Sequence, residues 1–440
     1  MEPPSDVSAG TPAGPADPPG TGTSLIWLVG FIGAITAALH LFSALYPSWA
    51  NWGTHHLAFL PVWVQWTVPL LMAAALLPAV QMRLGAGIER LTAWWGSRPR
   101  LFSGAAALVL LALAFWLVRE RTFFLGDGYL NLRGIGEIDA VENLHFQFEK
   151  EPLSGLMVWR IFQVLSGWNV AGTALLAYQI VSILSGVVGA AAMLLLAHTL
   201  ATRALDRTLM FLVLLASGGT QLFCGYVENY APSYAMLLLY GATAVAYLRE
   251  QTPVVLPAAL FAVLLATQLG MAVLAPSLAY LIWTEGARRR RVASAAIAVA
   301  TAVGLFALLL WFCGYSWDLL RQIAGRGGDH LLGLLQPAGD RQPYAFFSAE
   351  HFVEFGNLQF LLNPFALVIF LRLFSLRKTR WAASGTVWRF WMLSAPCTLA
   401  ASLLLHWDLG MSRDWDVLSV FSLAVIPASL AGLVCAVPED

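Results

Sequence analysis

VVLPAALFAVLLATQLGMAVLAPSLAYLIW, residues 254–283, is the stretch whose reading decides the fold. It is apolar for about 30 residues, whereas a helix needs only ~20 to cross a bilayer. Gln268 and Gly270, near its middle, put a polar side chain and a permissive backbone where one long helix would be uniformly apolar. The stretch is therefore read as two short helices joined by a turn. Arginine placement checks this division, because cytoplasmic loops carry excess Lys and Arg while Asp and Glu carry little topological information. Divided, the stretch leaves Arg249 and the block Arg288–Arg291 on the same side; as one crossing it would separate them.

The rest of the chain follows the same pattern. Of its 440 residues, 59% are hydrophobic and 11% charged, and its mean hydropathy is +0.70, more apolar surface than one soluble core could hide. Further apolar runs of membrane length lie near 24–46, 62–82, 101–118, 170–198, 208–224, 232–248, 292–312, 357–374, 389–405 and 418–436. With the divided stretch these predict an all-α polytopic membrane protein of about 12 transmembrane helices with both termini inside. On that topology Arg83, Arg90, Arg98, Arg100, Arg203, Arg207, Arg249, Arg288–Arg291, Arg377, Lys378 and Arg380 fall on the inner side. Loops 47–61, 119–169, 225–231, 313–356 and 406–417 lie opposite, and carry Asp127, Glu228, Asp318, Asp408, Asp414 and Asp416.

Several function classes drop out. The formal net charge is zero, so nothing suggests nucleic-acid binding and the charges are read by location instead. Cys224, Cys313, Cys397 and Cys435 lie in or beside apolar runs without paired spacing, and read as small buried hydrophobes. Residues 1–23, rich in Pro, Gly, Ser and Thr, read as a disordered cytoplasmic tail. Lys150 and Lys378 are the only lysines, an arginine bias typical of GC-rich coding that points to a bacterium. No Walker A, Rossmann, HExxH or nucleophile-elbow pattern is present.

Polar chemistry concentrates in the 119–169 loop, which holds Asp127, Glu137, Asp139, Glu142, Glu149 and Glu151. Asp127 stands between Gly126 and Gly128 in GDGY, where the glycines permit a tight turn and close approach to the carboxylate. Such access is what a general base needs; an ordinary Gly-Asp-Gly turn at a membrane surface explains the same residues. Beyond it, FEKEPL (148–153) leads into 153–165, apolar at helical spacing, shorter than a crossing and interrupted by Arg160 and Gln163. This predicts an interfacial helix.

FEKEPLSGLMVWRIFQVLSG, 148–167, following Asp127 by some two dozen residues, resembles the first outer loop of the GT-C glycosyltransferases, membrane enzymes that use lipid-linked sugar donors. The likeness is to the protein O-mannosyltransferase and lipid A aminoarabinose transferase branch, in which an acidic residue opens that loop and a Lys-Pro-Pro-like motif starts an interfacial helix. Asp127 matches the acidic residue and Lys150, Pro152 and Leu153 the motif, with Glu151 a departure. GYVENYAPSYA places Glu228 near Tyr230 as such proteins often do, and TQLGMAVLAP (267–276) resembles a re-entering hairpin whose usual His is here Gln268. The resemblance covers about 101–285. Together with composition and hydropathy it divides the chain into a tail at 1–23, an added transmembrane hairpin and cytoplasmic loop at 24–100, a GT-C-like core at 101–285 and a C-terminal transmembrane region at 286–440.

The resemblance implies a sugar transferred from a polyprenyl phosphate or diphosphate to a glycan, lipid or protein acceptor at the outer face of the cell membrane. Asp127 would be the base, and Lys150, Arg413 and His406 would meet the donor phosphate. Arg413 and His406 lie in HWDLGMSRDWDVL, 406–418, which reads equally as an interfacial salt-bridged turn anchored by Trp407 and Trp415. Asp414 and Asp416 there have the Asp-X-Asp form of a divalent-metal motif, so a metal is a possible cofactor. Glu151, Glu228 and Tyr230 are further candidate site residues. His55 and His56 lack a third ligand nearby, and His330, His351, Asp329 and Glu350 read as solvated polar positions or acceptor contacts. Two other classes remain open: a transporter, which the scarcity of charge inside the helices disfavours, and a noncatalytic assembly subunit.

Overall fold

The computed structural model describes all residues except 1–20, 98–99, 122–126, 285–287, 326–330, 338–343, 376–384, 406–409 and 437–440. The described residues form helices joined by turns, with no strand beyond an isolated bridge between Leu331 and Leu405. Among the described residues six helices are long and apolar enough to cross a membrane: Ser24–Leu45 within α1 (Thr21–Leu45), α7 (Thr173–Leu200), α9 (Ala231–Leu248), Arg289–Phe312 within α12 (Arg288–Phe312), α16 (Thr386–Leu404) and the combined segment Trp415–Val434. That segment contains α17 (Trp415–Ser422) and opens α18 (Val425–Ala436). The number rises to eight if two sharply bent helix pairs each count as one span. The remaining apolar helices are shorter.

Proline explains both bends. The run at 62–82 is two helices, α2 (Val62–Ala74) and α3 (Pro78–Gly96), meeting at 88°. The run at 357–374 likewise divides into α14 (Ala349–Leu362) and α15 (Ala366–Ser375) at 105°. Leu77 before Pro78 is extended, at φ −70° and ψ 128°, and Asn363 before Pro364 is extended as well. The proline ring disfavours helical backbone in the residue ahead of it, so each helix ends there and a new one starts in another direction. The run at 208–224 also falls short, α8 (Ala204–Leu215) giving way to a 3-10 turn at Gly218–Phe223.

The division of 254–283 is present. Helix α10 (Val255–Thr267) stops where Gln268 turns extended at φ −157°, a 3-10 turn covers Leu269–Leu274, and α11 (Ala275–Trp283) resumes with Pro276 in its first turn. The 119–169 loop supplies α5 (Gly128–Gly134) and α6 (Pro152–Gly167), the latter starting on the proline of FEKEPL. Helices α4 (Arg100–Leu117) and α13 (Trp317–Gly325) complete the framework.

Small residues allow the long helices to approach closely, the usual basis of helix association where lipid is as apolar as leucine. A methyl group on Gly189 would lie 2.6 Å from the Phe223 ring, and one on Gly241 would lie 2.4 Å from Trp391. The buried core so formed runs through α7, α9, α16 and α17 and is continuous with Trp52 of the N-terminal region. Hydrogen bonds tie that region down: Gly53 N donates to Asn357 Oδ1 at 2.9 Å, Asn357 Nδ2 donates to Ala50 O at 2.8 Å, and the Thr92 hydroxyl of α3 donates to that of Thr208 in α8 at 3.0 Å.

A Cβ on Gly53 would stand 2.0 Å from the Asn357 carbonyl oxygen, which is backbone and cannot swing away. Gly53→Ala should lower stability by about 1–3 kcal/mol, the range for overpacking. Gly85, inside α3 with nothing within 4 Å of its ideal Cβ, should respond oppositely, alanine raising stability by about 0.5–1 kcal/mol. Thermal unfolding of both variants in detergent checks the opposed signs.

Candidate functional site

Three chain segments meet where the helices end. The 119–169 loop begins pinned to the segment after the 3-10 turn: Glu120 N donates to Cys224 O at 2.8 Å, and Gln179 Nε2 donates to Glu120 O at 3.1 Å. Gly225 adopts φ +65° beside Arg119, whose Cβ a methyl group would approach to 2.8 Å, so this turn requires glycine. Tyr226 then packs edge-on against Trp415, the first residue of α17, with ring centroids 5.3 Å apart. This contact brings 225–231 beside the segment that carries Asp414 and Asp416.

Glu228 is the joint between these segments. Only 6% exposed, it accepts hydrogen bonds from Asp127 N at 2.6 Å and Asn131 Nδ2 at 2.8 Å. Both donors stand at the start of α5, where Asp127 O also accepts Asn131 N at 2.8 Å. Burial, and then the charge of Asp416, raise the Glu228 carboxyl well above the ordinary carboxylate range, against the pull of those two hydrogen bonds. The Asp127 side chain itself is exposed. A carboxylate open to an incoming molecule thus sits on a backbone fixed by a buried acid.

Glu151 is buried at the start of α6, where the Gln268 side chain hydrogen-bonds to it. Leu269 N donates to Lys150 O at 2.9 Å, and the Ser154 and Ser233 hydroxyls both donate to Thr267 O at 3.1 Å. The broken 254–283 stretch therefore offers its freed backbone groups to the FEKEPL turn and to α9. Tyr230 lies among these acids. Burial raises its phenol pKa, and the charges of Glu151, Asp416, Glu228 and Asp414 add to the shift.

The structure thus gathers Asp127, Glu228, Tyr230, Glu151, Asp414 and Asp416, which the sequence places in three separate loops. Asp416 is buried within the apolar segment and its Oδ1 accepts Val417 N; Asp414 stands one residue ahead of α17. Lys150 and Arg413 are exposed. The ion pairs seen among the described residues are Arg133–Glu137 and Arg321–Asp318, and Asp408, one of the carboxylates flanking Arg413, lies outside those residues. His406 lies outside the described residues, as do Asp329 and His330.

His351 is not a solvated position: it is buried, stacked on Tyr344 with ring centroids 5.3 Å apart, and its Nδ1 pairs with Phe346 O at 2.8 Å. Among the described residues no group of three or more His, Cys, Asp or Glu side chains is placed to hold a metal ion. Asn131, Glu120 and Tyr226 are site neighbours that sequence reasoning missed. Asn131 had one faint signal, standing one helical turn beyond Asp127. No protein-family model matches this chain, and no curated protein matches it.

Burial moves the Glu151 carboxyl from its ordinary 4.5 up to about 7, opposed by the Lys150 charge and the Gln268 hydrogen bond; Glu120 is likewise raised to about 7, chiefly by burial. Between about 4.5 and about 7 the folded protein keeps protons that the unfolded chain has released, so stability is full below that window and falls as pH rises through it. The thermal midpoint should drop between pH 5 and pH 7.5, and less in Glu151→Gln. Identical drops in the two proteins would show that Glu151 does not titrate there.

Proposed function

We propose that the chain is a GT-C-like membrane glycosyltransferase that moves a sugar from a polyprenyl-phosphate-type donor onto an acceptor hydroxyl. The observation that carries this reading is the exposed Asp127 carboxylate, held by its backbone on a buried Glu228. A base must be reachable by its substrate and fixed in place, and the two requirements are met by different atoms of one residue.

In the proposed reaction the acceptor oxygen attacks the anomeric carbon and its proton passes to Asp127. The bond from that carbon to the phosphate oxygen breaks, and its electron pair leaves with the lipid phosphate. Positive charge near that oxygen favours departure, and the exposed Lys150 and Arg413 are the candidates to supply it. His406 joins them on the sequence reading. Glu228 and Asn131 keep the turn in place without meeting substrate, while Glu151 and Tyr230 belong to the buried wall of the site. A lipid-carried donor also accounts for a polar site at helix ends in so apolar a chain: its reactive head group lies where hydrocarbon gives way to water.

On this reading the site faces outward and the chain makes about twelve crossings, the shorter and bent helices included. In an otherwise cysteine-free protein, cysteines replacing the exposed Phe146 and Leu335 should react in intact cells, or in spheroplasts where an outer membrane intervenes, with a membrane-impermeant thiol reagent. A cysteine replacing the exposed Leu84 of α3 should react only after permeabilisation. Reversal of this pattern sinks the outward-facing assignment.

Asp127→Asn keeps size and the backbone link to Glu228 while removing the base. Turnover should fall at least about a hundredfold with folding intact, since general-base assistance is typically worth a hundredfold to ten-thousandfold. Glu142→Gln, an exposed change in the same loop, should have little effect. The products are read by mass spectrometry of lipid-linked sugars and glycosylated acceptors in cells carrying each variant. Near-normal transfer by Asp127→Asn would eliminate this residue as the base.

A further inference from the structure

The FEKEPL turn holds three consecutive backbone carbonyls, at Phe148, Glu149 and Lys150, that are met by elements remote in sequence. The Tyr315 hydroxyl donates to Phe148 O and, at 3.3 Å, to Glu149 O; Leu269 N donates to Lys150 O at 2.9 Å. Tyr315 is only 7% exposed, and burial raises its phenol pKa, so the hydroxyl keeps its proton and remains a donor.

Gly314 sets the position of that tyrosine. Its φ is +77°, and an added Cβ would lie 2.8 Å from Val141 O and 3.0 Å from Glu142 Cα, so the turn after α12 seats directly on the 119–169 loop. Leu319, Leu320 and Ile323 of α13 pack onto the same cluster as Tyr315. Turn carbonyls are ordinarily met by water or by their own chain. Here Phe148 O does accept Glu151 N at 3.2 Å, and a buried phenol spanning two of the carbonyls with a remote amide on the third adds ties that fix the orientation of the residue they flank.

We propose that Tyr315 is a positioning residue that locks the Phe148–Glu151 turn so that Lys150 meets the phosphate of a lipid-linked donor. The inference rests on the reading of Lys150 given above. The Lys150 carbonyl is held by Leu269 of the 3-10 turn and the two carbonyls ahead of it by Tyr315, while its side chain remains exposed. Loss of the phenol hydroxyl removes the remote tie to the Phe148 and Glu149 carbonyls, leaving Phe148 O only the turn's own bond from Glu151 N at 3.2 Å, but leaves the lysine charge in place. Affinity for the phosphate then falls because the ammonium is no longer held in register, and not because charge is lost.

Binding of polyprenyl phosphate to the purified full-length protein in detergent tests this without knowledge of the sugar or the acceptor. Lys150→Ala should weaken binding by about tenfold or more, as expected for a charge-assisted contact. Tyr315→Phe should weaken it by about threefold to tenfold, the worth of one neutral hydrogen bond. The decisive measurement is the double variant: a residue that acts through Lys150 adds nothing once Lys150 is alanine, whereas general loosening of the fold weakens both backgrounds alike. Gly314→Ala, which displaces the same turn by another route, should follow the same non-additive pattern and stands in if Tyr315→Phe folds poorly. Unchanged affinity in Tyr315→Phe, or equal losses in both backgrounds, overturns the positioning role while leaving the phosphate reading intact. No binding by the wild-type protein, or wild-type affinity in Lys150→Ala, removes the phosphate reading and Tyr315's role with it.

Discussion

The constraint on which the site depends is the burial of Glu228. Taking a carboxyl out of water is costly unless its oxygens are met by donors, and here both oxygens are met from the first turn of α5, by Asp127 N and Asn131 Nδ2. The two partners are 101 and 97 residues away in sequence, so satisfying one buried side chain closes a long loop onto the start of α9. Other features support this joint. Gly225 must be left-handed for the chain to turn past Arg119, and Tyr226 must lie against Trp415 for α17 to bring Asp416 within electrostatic range of Glu228. Raised proton affinity is the physical consequence of placing an acid there.

Helix breaks create the place where such a joint can exist. A membrane-spanning helix satisfies its own backbone, and polar chemistry needs backbone and side-chain groups left over. Gln268 ends α10 and frees Thr267 O for two serine hydroxyls and Leu269 N for Lys150 O. Pro152 starts α6 and turns Glu151 inward to meet Gln268. The polar wall of the site is thus made from the ends of α6, α9, α10 and α17, while their apolar middles supply the packing that holds those ends in place.

Legibility followed the range of the signal. A polar residue in a long apolar stretch is a local feature, and Gln268 was readable as a break; so was the helix starting on Pro152. The grouping of Asp127, Glu228, Asp414 and Asp416 was readable at low resolution, because charge placement puts their loops on one side. The bends at Leu77–Pro78 and Asn363–Pro364 were lost because hydropathy averages across a break and reports one run where there are two directions. Burial of Glu151, the Asn131 hydrogen bond and Tyr315's grip on the FEKEPL turn are contacts between distant segments, and residue types alone do not encode them. Histidine 351 misled for the same reason: an imidazole in a polar loop resembles a solvated group until Tyr344 and Phe346 close over it.

Charge is distributed unevenly through the assembled site, and this asymmetry bears on how a donor could sit in it. Glu228, Glu151 and Asp416 are buried, whereas Lys150 and Arg413 are exposed. Burial raises the pKa of the Glu228 and Glu151 carboxyls and so favours their neutral forms, which leaves the interior with no counter-charge for a phosphate, and burying an unpaired anion is costly. The proposed donor phosphate would meet the exposed ammonium of Lys150 and guanidinium of Arg413 instead. On the proposed reading, the cost of burying an anion within and the attraction of the exposed cations orient the donor before chemistry begins. Its anionic half stays outward and its sugar faces Asp127, the carboxylate the fold leaves exposed.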